Sequence, residues 1–169
     1  MNITEKALAY AEQQGAVICN APNEKKRLAK LIIPVAAVFP ELVSRLAGVY
    51  PYYMRDQGGD LLPECDGISW KYHDNQTGST VFLVGISIDG MDAGAEYAAF
   101  LFLHELAHTV TGPEHNTAFH DQLNSMIKAY NQANGTNIIN DLFGWPSRHD
   151  YRPYNPFGAE LPTRATGSR

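Results

Sequence analysis

The sequence has few cysteines and no excess of positive charge. Cys19 and Cys65 are the two cysteines among 169 residues; they allow at most one disulfide and do not have the spacing of a zinc ribbon. We expect both thiols to be reduced, which favours a cytoplasmic location. The formal net charge is −5, so electrostatics give no reason to expect a nucleic-acid partner, whose phosphates bind Lys and Arg.

Long apolar segments and repeats are also missing from the sequence. No stretch reaches the roughly eighteen uncharged apolar residues of a membrane span, and residues 1–6 lack the basic-then-apolar layout of a signal peptide. We therefore expect no membrane partner. The chain has no internal repeats, no glycine-rich phosphate loop and no Ser-His-Asp arrangement, which argues against the protein classes that depend on them.

The length and composition predict one globular domain. Hydrophobic residues make up 44% and charged residues 18% of the 169 positions, an ordinary balance for a chain that buries a core. We place the domain at residues 1–157. Residues 158–169, which end a Gly-, Pro- and aromatic-rich segment, are expected to form a flexible tail.

Apolar periodicity and turn residues predict a mixture of helices and strands. Helical spacing covers residues 4–13 and continues from residue 23 through two prolines, as either one kinked helix or two short ones. Residues 48–67 lose periodicity and are expected to be irregular. The other predicted elements are a short strand or extended connection at 16–19, strands at 67–73 and 79–89 around a turn at 74–78, and helices at 95–110 and 117–133.

The helix predicted at 95–110 has recognisable start and stop signals. Asp92 is our candidate N-cap, and Gly112 followed by proline is typical of a helix end. Asn116 is expected to cap the next helix, in which Phe119 begins a stripe of core residues. Within the strand at 79–89, residues 81–88 are apolar on both faces, which suits a strand covered on one side by the helix at 95–110.

His104 and His108 lie near the end of this helix. Histidines four residues apart stand one turn above the other, so both imidazoles can reach a single metal ion. Zinc binds neutral imidazole nitrogens at about 2.0–2.1 Å. Glu105 projects beside such a metal, where it can take a proton from metal-activated water and deliver it to a leaving amine. This is the H-E-x-x-H pattern of zinc-dependent peptidases.

A catalytic zinc takes three protein ligands and keeps one position open for water. Since the helix supplies two, the third must come from the segment that turns back after it. His115 is the first candidate because it follows the Gly-Pro helix break closely enough to fold back onto the metal. His120, on the following helix, is the rival candidate, and Glu114 or Asp121 would supply a carboxylate instead.

Between His104 and Phe119 the chain reads His-Glu-Leu-x-His, then Gly-Pro, then His-Asn-x-x-Phe. This order resembles the metal-binding core of the SprT-like and WLM-type zinc metallopeptidases, over residues 97–123. Glu114 adds one residue before the third histidine relative to the WLM pattern. The resemblance implies that His115 completes the zinc site. It also implies a zincin-like α+β fold with a small twisted sheet, N-terminal helices, the motif helix and a C-terminal helix, in which an edge strand holds the substrate backbone as an added strand.

These observations together predict a zinc metalloendopeptidase acting on a protein or peptide substrate, with Glu105 as general base. One alternative is a regulatory peptidase that cleaves a single partner protein, as ImmA-like enzymes do. Another is a non-catalytic domain with a structural metal, which a fourth protein ligand in place of water would support. Hydrolytic zinc sites often stabilise the oxyanion with a His, Tyr or Arg, and the candidates here are His149, Tyr151, Arg152 and Tyr154.

Overall fold

The computed structural model describes residues 1–62 and 66–140 and the backbone of residues 167–168. Within these residues the chain forms helices and a small mixed sheet, which confirms the α+β class. The helices are α1 (Ile3–Gln13), α2 (Pro22–Val38), α3 (Pro40–Ser44), α4 (Ile88–Asp92), α5 (Ala95–Thr111) and α6 (Thr117–Asn134). The strands are β1 (Ala16–Ile18), β2 (Leu46–Met54), β3 (Gly67–His73), β4 (Thr80–Ser87) and β5 (Gly167–Ser168). In the described part of the chain no helix has both the length and the apolarity to cross a membrane.

The sheet has the strand order β1-β2-β4-β3-β5. β2 and β4 run parallel, whereas the other neighbouring pairs are antiparallel. β3 and β4 pair without interruption around the turn at 74–78, as predicted. The two-residue β5 pairs with Ser69 and Trp70 on the outer side of β3. The rest of the predicted tail, 158–166 and residue 169, lies outside the described residues.

β2 shows that the prediction of an irregular region at 48–67 was wrong for its first part. The strand passes through Pro51 and pairs on both sides, with β1 and with β4. The carbonyl oxygen of Pro51 accepts a hydrogen bond from the Cys19 amide at 2.8 Å. The N and C=O of a strand residue point to the same side, so the missing N–H of Pro51 faces Cys19, the residue just beyond the end of β1. The proline therefore removes at most one hydrogen bond, at the end of the β1–β2 pairing.

The start of α5 also differs from the prediction. Asp92 does not cap α5; it ends the short helix α4, and its carboxylate accepts a hydrogen bond from Arg27 at 2.6 Å. Ser87 ends β4 and caps α4, because its hydroxyl accepts a hydrogen bond from the Gly90 amide at 2.8 Å. The residue before α5 is Gly94, whose φ of 132° is open to glycine and strained for other residues.

The proline-containing helical region divides into two helices at Phe39. Pro34 lies inside α2, and Pro40 is the first residue of α3. A residue that precedes proline is pushed out of the helical conformation, and Phe39 accordingly has φ −126° and ψ 59°. Of the two alternatives left by the sequence, the structure therefore has two helices, with the break at the second proline.

Helices cover both faces of the sheet. α1 packs on the face that carries Tyr52 and Trp70, whose rings meet edge to face at 5.7 Å. α2 and α5 pack on the opposite face, and α6 packs against both of these helices. α5 is buried from Tyr97 to Thr109. Since burying one large apolar side chain contributes about 1.5–3 kcal/mol, this helix is the best-anchored element of the fold.

Candidate metal centre

His104 and His108 lie on the last two turns of α5 and are 7% and 3% exposed. Their Nε2 atoms are 3.2 Å apart. The helical spacing of four residues brings the rings onto one face, as predicted. Because the helix around them is buried, neighbouring side chains pack against both imidazoles.

The turn after α5 determines which nitrogen of His108 carries hydrogen. Gly112 ends the helix, as predicted, with φ 99°, and its carbonyl oxygen lies 2.9 Å from Nδ1 of His108. A carbonyl can only accept a hydrogen bond, so Nδ1 is protonated and Nε2 keeps its lone pair. A hydrogen bond of this kind orients a metal-binding histidine and raises its basicity.

His115 approaches the same point from the segment beyond the turn. Its Nε2 is 3.2 Å from Nε2 of His104 and 3.0 Å from Nε2 of His108. Nitrogens held at about 2.0–2.1 Å from a tetrahedral zinc are about 3.3 Å apart. The three ring atoms thus have nearly the spacing that such a metal imposes. The structure brings together the three histidines that the sequence proposed as ligands, and together they can hold a metal ion.

Phe119 lies in contact with all three imidazoles. Its ring stacks on His108 at 4.3 Å between centroids and meets His104 and His115 edge-on, each at 4.9 Å. The side chain is 0% exposed. Asn116 fixes the start of α6 by accepting a hydrogen bond from the Phe119 amide at 3.0 Å, as predicted. Phe119 therefore forms the apolar floor of the cluster.

Replacing Phe119 with Ala is expected to lower the free energy of unfolding by about 3–5 kcal/mol and to weaken metal binding. The cavity left under the rings would free His115, whose position depends on the start of α6. Denaturant unfolding of the metal-free protein gives the first quantity, and zinc titration gives the second. Phe119→Leu is the matched control, since keeping most of the volume should cost less than about 1.5 kcal/mol. Unchanged stability and zinc affinity in the Ala variant would show that the floor is unimportant.

Glu105 lies beside the cluster without belonging to it. Its carboxylate is 1% exposed, and Oε2 is 4.0 Å from Nε2 of His104. On its other side is the first residue of β3, Gly67, where an added Cβ would lie 3.0 Å from Oε2. The glycine thus leaves room for the carboxylate. The role of Gly67 was not predicted, and a glycine at the start of the strand was the available signal.

A buried polar group holds the start of β3 in place. The carboxylate of Asp66 accepts a hydrogen bond from the Tyr97 hydroxyl at 2.7 Å and one from the Ser87 hydroxyl at 3.4 Å. These bonds tie the residue before Gly67 to α5 and to the end of β4. Buried polar groups that satisfy one another fix a single local arrangement, so they help to define where Gly67 meets Glu105.

The rival ligands lie elsewhere. Among the described residues the metal-binding group contains neither His120 nor Glu114 nor Asp121. His120 is exposed, and its Nδ1 is 3.1 Å from the side-chain amide nitrogen of Asn140, which can only donate.

Cys19 is a free thiol. The following residues of interest lie outside the described residues: Cys65, His149, Tyr151, Arg152 and Tyr154.

A cavity of about 510 Å³ opens next to the cluster. One wall comes from Ser69, Lys71 and His73 of β3, another from Phe82 of β4, and a third from residues 108–113 at the end of α5. His108 belongs to both the cavity wall and the histidine cluster. The sequence did not predict this cavity, because its walls are far apart in the chain. The alternation of polar residues along β3 was the one local signal.

The chain has no match among known proteins: no family model matches it, and neither a curated protein nor a solved structure matches it. The three-histidine cluster, its floor and the neighbouring carboxylate are therefore interpreted from their own geometry.

Proposed function

We propose that this protein is a zinc-dependent metalloendopeptidase. The observation that carries the proposal is the convergence of three imidazole Nε2 atoms beside the buried carboxylate of Glu105. Imidazole is a preferred zinc ligand, and three of them are a common catalytic set. The adjoining cavity gives a substrate access to the same place.

The roles of the side chains follow from their positions. His104, His108 and His115 would hold the zinc, which when bound would lower the pKa of a coordinated water towards about 7 and polarise a carbonyl. Glu105 accepts the proton as water attacks the peptide carbonyl and returns it to the leaving amine. Packing against Gly67 keeps its carboxylate on the side of His104 throughout.

The number of ligands favours a catalytic metal over a structural one. A structural zinc has four protein ligands, whereas in the described part of the chain this group contains three histidines and no Cys, Asp or Glu. The Glu105 carboxylate oxygen Oε2 lies 4.0 Å from Nε2 of His104, which is farther than the roughly 3.3 Å between ligands of one tetrahedral zinc. Among the described residues, no fourth ligand joins the three histidines, which leaves one coordination position for water or substrate.

The proposed substrate is a protein or peptide bound in extended form along β3. The outer side of this strand already pairs with β5 at Ser69 and Trp70, so its main-chain groups are able to accept an added strand. In the described part of the chain no strand pairs there with residues 71–73. A peptide can add at this edge through main-chain hydrogen bonds, displacing β5 where the two overlap.

Two further parts of the proposal concern the family and the location of the protein. The assignment to the SprT-like and WLM-type peptidases depends on the motif at residues 97–123 alone, and the chemistry is carried over without a nucleic-acid-linked substrate because the net charge is −5. A cytoplasmic location is consistent with the free thiol of Cys19.

The test is hydrolysis of an unfolded protein, such as reduced casein, by purified protein. We expect cleavage by the zinc-loaded form, loss of cleavage after chelation and recovery when one equivalent of zinc is restored. Cleavage that persists after complete metal removal would contradict the proposal. So would a protein that binds zinc stoichiometrically but cleaves neither casein nor a peptide library.

A further inference from the structure

We infer that the cavity between β3 and the end of α5 binds an acidic side chain of the substrate, with Lys71 as the residue that determines this specificity. The inference rests on the proposed peptidase function, which it extends by naming a substrate class. It is carried by the position of Lys71 relative to the cluster, by the charges around the cavity and by the apolar surface beside them.

The position of Lys71 follows from the alternation of β3. Gly67, Ser69, Lys71 and His73 share one face of the strand, and Gly67 is the residue that meets Glu105. Lys71 is four residues further along, about 13 Å at about 3.3 Å per residue. A peptide lying along β3 with its scissile bond near Glu105 therefore has a side chain a few residues away that points at Lys71.

The charge at the cavity is positive. Lys71 is exposed, and no acidic side chain of the described residues forms an ion pair with it. The lining described above includes no Asp or Glu. Arg45 adds a second cation behind the wall: its guanidinium lies 5.6 Å from the centre of the Phe82 ring and donates to the Thr109 carbonyl at 2.9 Å. These two cations stand out in a protein whose net charge is −5.

The remaining cavity surface suits the stem of a glutamate. Phe82 pairs directly with Lys71 across the two strands, and Val110 and Pro113 contribute further apolar surface. The His73 ring is held by Thr80, whose hydroxyl is 2.8 Å from Nδ1. An aliphatic stem can pack on Phe82 while its carboxylate reaches the Lys71 ammonium. A basic side chain in the same place would meet like charge, which disfavours it.

Partial solvent exposure limits the size of the effect. Exposed ion pairs are individually weak. An acidic substrate side chain in the cavity, close to Lys71 and within the electric field of Arg45, would however be partly shielded from water. We expect a preference of about tenfold for Glu over Gln at one substrate position, which corresponds to about 1.4 kcal/mol. Because the cavity is open, the preference should shrink as salt rises to about 1 M, where the screening length is about 3 Å.

The experiment uses short fluorescein-labelled peptides of uncharged sequence that carry Glu, Gln or Lys at one position, with that position moved along the peptide. Binding is measured by anisotropy on zinc-loaded protein carrying Glu105→Gln, and cleavage as kcat/KM on protein with Glu105 intact. At one position we expect Glu to exceed Gln about tenfold, with Lys weakest. Adding Lys71→Glu should reverse the order, and Lys71→Arg should preserve it.

Lys26→Glu is the matched control. Lys26 is exposed near the start of α2 and adjoins Arg27, which pairs with Asp92 just before α5. The cavity lies at the other end of α5, about 25 Å away along a 17-residue helix. The same change of charge at Lys26 should leave the preference for Glu intact.

Equal binding of Glu and Gln peptides at every position, or a preference that survives Lys71→Glu, would overturn the inference. Measuring binding and cleavage separately distinguishes failure of this inference from failure of the proposed function. If Glu peptides bind in a Lys71-dependent way but nothing is cleaved, the acidic site stands and the peptidase assignment fails. If peptides are cleaved without regard to charge, the peptidase assignment stands and the acidic site fails.

Discussion

Replacing Glu105 with Gln is expected to reduce peptide hydrolysis by about 10²–10⁴-fold or more, because a general base contributes about that factor and in the proposed mechanism this carboxylate would also orient the water. The amide has almost the same shape, so it fits the space between His104 and Gly67 that the carboxylate occupies. Zinc content and melting temperature should therefore stay close to those of the unmodified protein. The loss is expected in kcat, since the proton transfer occurs in the chemical step.

The control for this experiment is Glu114→Gln, which removes the same charge from an exposed residue directly before His115. Glu114 lies outside the metal-binding group, so its amide variant should retain activity. If Glu105→Gln instead retained activity within a few-fold of the unmodified protein, Glu105 would have no part in proton transfer. The mechanism proposed above would then have to be abandoned.

Replacing His115 with Ala is expected to weaken zinc binding by well over about 100-fold. Loss of a residue that only hydrogen-bonds to a metal ligand already costs roughly 10–100-fold, and loss of the ligand itself should cost more. One of the three converging nitrogens disappears, and two imidazoles with waters bind zinc far less tightly. His120→Ala is the matched comparison. His120 interacts with Asn140 and lies outside the cluster, so its loss should change zinc affinity little.

Both variants are compared by zinc content after dialysis and by competition with a chromophoric chelator under identical conditions. His115 is exposed overall, so its replacement should leave the apo fold intact, which circular dichroism checks. If His120→Ala lost the metal while His115→Ala kept it, the third ligand would have been wrongly assigned. The resemblance of this segment to the SprT-like core would then be a coincidence at that position.

The residues of the histidine cluster were predictable because they are close in sequence. Helical periodicity places His104 over His108, and Gly112 with the following proline turns the chain back within a few residues. Asn116 and Phe119 then fix the next helix by a local cap and a buried ring. Each of these signals acts over fewer than about ten residues, which is within the window of about 11–18 residues over which sequence patterns are informative.

Features that depend on distant segments escaped prediction. β2 was missed because Gly and Pro conceal a strand whose formation depends on pairing with β1 and β4. Asp92 has the chemistry of an N-cap, yet Arg27, far away in the chain, binds its carboxylate in the structure. The contact of Gly67 with Glu105 and the cavity at Lys71 likewise arise where β3 meets α5. Tertiary packing created these features, and local propensity does not encode it.

The most direct test of the central claim, a catalytic zinc with three histidine ligands, is X-ray absorption at the zinc edge of protein loaded with one equivalent of the metal. We predict three imidazole nitrogens at about 2.0–2.1 Å and one exchangeable water ligand that a hydroxamate replaces. A fourth protein ligand that hydroxamate cannot displace would identify a structural metal and contradict the account, as would failure of the protein to bind zinc stoichiometrically.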